Sequence, residues 1–90
     1  MEFQKESGRI FALDQEGRLL AEVVFPTGPD GVADIHHTFV DGSLRGQGVA
    51  GQLLRAAADQ LRAQGKKARA SCSYAAGWFE KHPEEQDLLA

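Results

Sequence analysis

Ninety residues, 42% of them apolar and 26% charged, suffice for one small domain with a single core. A net charge of −3 excludes a general pull toward nucleic acid or anionic membrane, and no apolar run approaches the roughly 18 residues of a spanning helix. The single cysteine, Cys72, has no partner for an internal disulfide; with no signal peptide read ahead of the fold, the expected compartment is the cytoplasm.

Residues 1–90 read as one domain without repeat or linker. Arg9 to Leu13 is a short apolar strand, and Asp14 to Gly17 turns it tightly into a second strand, Arg18 to Phe25. Leu19, Ala21, Val23 and Phe25 share one face of that strand; Leu20, Glu22 and Val24 share the other. Apolar residues on both sides predict an interior strand at least partly covered by helices. Pro26 to Gly31 is dense in turn residues and closes a second hairpin. A third strand, Val32 to Val40, alternates: Ala33, Ile35, His37 and Phe39 fall on one face, with Val32, Asp34, His36, Thr38 and Val40 on the other. Asp41-Gly42-Ser43 ends it.

The next segment, Leu44-Arg45-Gly46-Gln47-Gly48-Val49-Ala50-Gly51, is poor in side chains and runs into a helix. Ala50, Leu53, Leu54, Ala57, Ala58 and Leu61 form the buried stripe of that helix, with Arg55 and Asp59 as an i,i+4 pair outside and Gly65 as its stop. Lys67 to Cys72 is a fourth strand, parallel to the third because a helical crossover separates them. Ser73 is placed to cap a second helix carrying Tyr74, Ala75, Trp78 and Phe79, which Pro83 ends. Glu84 to Ala90, acidic and closing on Leu88-Leu89, carries no clear signal.

The bare loop before the first helix is where an anion would sit. Free amides at a helix start point outward and the helix dipole favours negative charge, while Arg45 adds a fixed cation. Gly46, Gly48 and Gly51 also spell the GxGxxG of a dinucleotide site. That fold, however, wants a parallel unit before the loop and an acid about 20 residues on, and neither is present. A Walker loop is excluded because no Gly-Lys-Ser/Thr occurs. A plain glycine-rich turn is the remaining alternative.

Three antiparallel strands, a loop and helix, a parallel strand and a C-terminal helix make an α+β mixed sheet. That order, with His37-Thr38-Phe39-Val40, Arg45-Gly46-Gln47-Gly48-Val49-Ala50 and Cys72-Ser73-Tyr74 in sequence, resembles the GCN5-related N-acetyltransferases from Arg9 to His82. The resemblance is closest to their minimal, single-domain YjdJ-like or GTLF3B-like branch. It implies acetyl-CoA as donor, its pyrophosphate on Arg45 and on the amides of Gly46, Gln47, Gly48, Val49, Ala50 and Gly51. It further implies a pantetheine arm paired with the main chain of Thr38, Phe39 and Val40, a polarising N–H near Phe39 or Val40, and Ser73 and Tyr74 beside the cofactor. The short turn at Asp14 to Gly17 replaces the helices that wall the acceptor site in larger relatives. A shallow site for an unidentified amine, on a polypeptide or a polyamine, is expected.

His37 is the candidate base, since a neutral imidazole accepts a proton near neutral pH, with a core histidine as the plain alternative. His36 and His82 are expected to be solvated. Cys72 precedes a helix start, where the dipole favours its thiolate. It is read as an acetyl carrier or as a wall of the acetyl pocket, against a small buried hydrophobe beside Ala68 and Ala70. Tyr74 is a weaker candidate acid for the leaving thiolate. No metal-ligand spacing occurs. A non-catalytic acyl-CoA-binding module is the competing function. The chain is expected as a monomer or a weak homodimer, with Trp78 and Leu88-Leu89 as the surface for self-pairing.

Overall fold

A computed structural model of the chain describes residues 2–90. The strands are β1 (Gln4–Glu6), β2 (Arg9–Leu13), β3 (Leu19–Val24), β4 (Ala33–Ile35), β5 (His37–Val40) and β6 (Ala68–Ala70); the helices are α1 (Val49–Ala63) and α2 (Ser73–Lys81). β1, β2, β3 and β5 form an antiparallel sheet in that order, while β4 and β6 pair in parallel. The α+β class, both hairpins and the parallel crossover agree with the sequence pattern. β1 was not expected. Its residues Gln4, Lys5 and Glu6 are all exposed and have no apolar alternation, so only its pairing with β2 marks it as a strand.

The expected third strand is broken at His36. Val24 lies opposite His37 and Thr27 opposite Ala33, so three steps along one strand face four along the other. The extra residue is His36, whose N–H donates to the Val24 carbonyl at 3.2 Å. This is a β-bulge, and it reverses the facing of everything beyond it. Ala33 and Ile35 point into the core as expected, but His37 and Phe39 turn to the opposite face. Thr38 and Val40 take the inner positions in register with Val23 and Ala21.

α1 packs across the inner face formed by Ile10, Ala12, Ala21 and Val23, burying Val49, Leu53, Leu54, Ala57, Ala58 and Leu61. The buried stripe therefore begins at Val49, not Ala50. Arg55 does not pair with Asp59; its Nη1 donates to Glu85 Oε2 at 2.6 Å. The tail, Pro83–Leu88, forms a turn of 3-10 helix whose Glu85 and Leu88 are buried. Trp78 and Leu88 lie within the core, and Leu89 packs against it partly buried. Among the described residues no helix is long and apolar enough to cross a membrane.

Candidate functional site

The loop ahead of α1 presents main chain and little else. Asp41 accepts from the Ser43 N–H at 3.0 Å and the Ser43 hydroxyl at 2.6 Å, ordering the turn Gly42–Leu44 that leads into it. Gly46 and Gly48 then adopt φ of 82° and 73°, the left-handed region that other residues resist. Gly48 is the N-cap and offers no side chain, and no acid lies in the first turn. The first bond inside α1 runs from Gln52 N–H to Gly48 O at 3.1 Å. The amides of Val49, Ala50 and Gly51 therefore have no partner within the helix. A Cβ built on Gly46, Gly48 or Gly51 would meet nothing within 4 Å, so the space before these amides is open. Arg45 is exposed and enters no ion pair among the described residues. Val49 contributes only its amide, because its side chain is in the core.

A gap opens where β4 and β6 part. The N–H groups of Ser71 and Cys72 both donate to the Ile35 carbonyl, at 3.1 and 3.0 Å, which ends β6 and turns the chain into α2. β5 continues alone as the sheet edge. The Asp41 N–H bonds Leu20 O, and Phe39 lies opposite Glu22, so antiparallel alternation directs the main-chain groups of Phe39 toward β3. Those of Thr38 and Val40 face the gap. The polarising N–H suggested near Phe39 or Val40 is thus available from Val40 and not from Phe39.

Cys72 closes the gap from the other side. It is the N-cap of α2, the position expected for Ser73, which is instead the first helical residue. Its Sγ donates to Thr38 Oγ1 at 3.6 Å. Partial burial pushes the thiol up. The amides of Ala75, Tyr74 and Thr38 and the Thr38 hydroxyl outweigh that, and Cys72 ends below the ordinary thiol value.

Two grooves flank the loop and share Gly48 and Tyr74. One of about 250 Å3 is lined by Val40, Leu44, Arg45, Gly46 and Ala50. The other, of about 680 Å3, runs between α1 and α2, with Gly51, Gln52 and Arg55 on one wall and Ser73, Gly77 and Trp78 on the other. Lys5 and Lys81 also reach it. Tyr74 is 44% exposed and stands between the two grooves, while Trp78 and Phe79 belong to the core. His82, expected in solvent, stacks on Trp78 with ring centroids 4.4 Å apart and donates from Nδ1 to Trp78 O at 2.7 Å.

His37 is not a core histidine. Its side chain is 51% exposed on the face away from α1, with Nε2 at 3.5 Å from Glu22 Oε1. The structure therefore gathers Thr38, Val40, the Arg45 loop, Cys72, Ser73 and Tyr74 around one cleft, and sets His37 and Phe39 on the reverse of the strand that lines it. Sequence reading missed Glu22 and the groove-lining Lys5, Arg55, Gly77 and Lys81. Only Gly77, a glycine inside a helical pattern, carried a local signal.

A family model described as GCN5-related N-acetyl-transferase matches residues 9–88. Among solved structures, a GCN5-like presumed N-acetyltransferase from Staphylococcus aureus is 32% identical with a TM-score of 0.81, over 99% of this chain and 87% of that one. A presumed acetyl transferase from Pyrococcus furiosus is 28% identical, with a TM-score of 0.62, over 87% of this chain and 58% of that one. The ribosomal-protein-alanine N-acetyltransferase from Brucella melitensis, 21% identical with a TM-score of 0.64, shares the fold over 82% of this chain and 59% of its own. No curated protein matches.

Proposed function

The chain belongs to the GCN5-related N-acetyltransferase family, and on that premise we propose that it carries an acetyl group from acetyl-CoA to an amine on an exposed acceptor, a polypeptide or a polyamine. The observation that carries this reading is the meeting of three features at one cleft: unpartnered amides at the start of α1, the free edge of β5, and Cys72 at 3.6 Å from Thr38. Acetyl transfer needs a held donor, a polarised carbonyl and a deprotonated amine.

Arg45 and the amides of Gly46, Gly48, Val49, Ala50 and Gly51 suit the diphosphate of the donor, since the loop is open and Arg45 is positive. The Gln47 N–H, expected to join them, donates instead to Leu44 O at 3.3 Å. The outward C=O of Thr38 and the N–H and C=O of Val40 suit an amide-bearing arm added as a further strand, while the Thr38 N–H is directed at the Cys72 sulfur. Ser73 and Tyr74 flank the same cleft, and the α1–α2 groove, with Lys5 and Lys81 at its margins, suits the nucleotide end. Cys72 either takes the acetyl group as a thioester or lines its pocket. With only a tight turn between β2 and β3, the outer sheet face is open enough for an extended acceptor. We read the protein as cytoplasmic, a monomer or weak homodimer, and of the minimal single-domain branch, as its 87% coverage of the staphylococcal relative supports.

The test is thermal stabilisation by acetyl-CoA, CoA, NAD and ATP, followed by CoA release with lysine peptides and spermidine. Stabilisation by the CoA compounds, lost in Arg45→Ala, together with amine-dependent release, is expected. A shift with NAD alone would overturn the reading. Binding without release would leave a non-catalytic acyl-CoA module.

A further inference from the structure

One charge cluster, on the sheet face away from α1, is left without a task by that reading. Glu22 is only 14% exposed, and a carboxylate so placed needs partners. Arg9 Nε donates to its Oε2, while Oε1 stands 3.5 Å from His37 Nε2. Arg9 is itself held on two further sides: its guanidinium lies 3.8 Å over the Phe11 ring, and Nη1 is 3.7 Å from Glu6 Oε1. Among the described residues the His37 ring has no other side-chain partner. The charged groups around it are therefore Glu22 and, behind it, Arg9 and Glu6.

A rigid, largely buried carboxylate with one oxygen directed at an exposed imidazole sets the tautomer and direction of that ring. We propose that Glu22, pinned by Arg9, is a positioning residue. It holds His37 by Nε2–H and leaves Nδ1 free to take the proton of the incoming amine. This rests on the acetyl-transfer reading of the adjoining cleft. The bulge at His36 makes it geometrically possible, because it turns His37 outward while Thr38, the next residue, faces Cys72. An acceptor can reach the gap from this side without displacing α1. The separation of 3.5 Å exceeds a good hydrogen bond, and catalytic contacts of this kind commonly tighten only when substrate binds.

In the step, an ammonium acceptor gives one proton to His37 Nδ1 and becomes the nucleophile. Its nitrogen bonds the thioester carbonyl carbon, and the C–S pair leaves with the CoA thiolate. The thiolate takes the second N–H proton, and the imidazolium returns its own to solvent. The products are amide, CoA thiol and one proton.

The test combines steady-state kinetics with lysine-peptide and spermidine acceptors, calorimetry with acetyl-CoA, and 15N spectra of the His37 ring. Turnover is expected to fall at least about 10-fold in Glu22→Gln and about 100-fold in His37→Ala, with no further loss in the double variant and acetyl-CoA affinity unchanged. The wild-type ring is expected to carry its neutral-form proton on Nε2, a preference lost in Glu22→Gln. A wild-type ring protonated on Nδ1 would overturn the proposal without recourse to any variant, as would full turnover in Glu22→Gln. Wild-type protein that binds acetyl-CoA yet releases no CoA with either acceptor would remove the transfer reading and this proposal together. Normal wild-type turnover with an indifferent Glu22 removes the proposal alone.

Discussion

Cys72 owes its chemistry to its main-chain address. A thiol half-buried between two apolar strands would stay neutral, but as the N-cap of α2 it collects amides that the helix leaves unbonded. Thr38 supplies a hydroxyl and an amide from the facing strand. The rate of iodoacetamide alkylation should therefore reach half its maximum below the pH usual for a cysteine. Thr38→Val, which removes one group favouring the thiolate, should move that midpoint upward; an unmoved midpoint would show the hydroxyl to be incidental. The address was legible, since a cysteine between a strand pattern and a helix pattern can only lie at such a junction. Thr38 was not, because a contact between residues 34 apart leaves no local trace. His37 was legible as a candidate and misplaced in space, because period-2 reasoning cannot see one extra residue.

Helices and strands followed from periodicity wherever an element buries a regular face. α1 is the clearest case, its apolar spacing intact from Val49 to Leu61. β1 and the bulge escaped because neither is encoded by alternation: one is polar throughout, the other is a miscount. Glycine roles differ between elements in a way that can be measured. Gly77 lies inside α2 with ordinary helical backbone and open space for a Cβ. Gly77→Ala should stabilise the fold by about 0.5–1 kcal/mol in urea titrations. Gly77→Leu should leave the fold intact and weaken acetyl-CoA binding, because its side chain would project into the 680 Å3 groove. Gly48, at φ 73°, behaves in the opposite sense: Gly48→Ala should cost about 1 kcal/mol by the same measurement.

At the scale of the molecule the acidic tail is a strap. Glu85 bridges Arg55 at 2.6 Å and Arg62 at 2.9 Å, and Arg62 continues to Asp87 at 2.8 Å. The chain end then joins the outer side of β6, with the Ala90 N–H donating to Ala68 O at 2.8 Å. These partners lie 20 or more residues apart, which is why the segment read as featureless. Hydrogen bonds from Arg55, then Arg62, hold Glu85 below the usual carboxylate range. Its folded value being the lower one, the stabilisation is complete above the unfolded value, about 4.3, and drains as pH falls through the folded value. Glu85→Gln should lose about 1 kcal/mol at pH 7 and converge with the parent protein in strong acid, as urea midpoints across pH would show.

The bare margin of β5 also governs how the protein behaves in a tube. A row of main-chain groups that can receive a donor arm can equally receive the margin of a neighbouring molecule. Shortness limits the hazard, since only four residues are involved. Concentrated protein without acetyl-CoA should nevertheless scatter light at a lower temperature on warming than saturated protein. On the acetyl-transfer reading, occupancy and solubility are expected to move together.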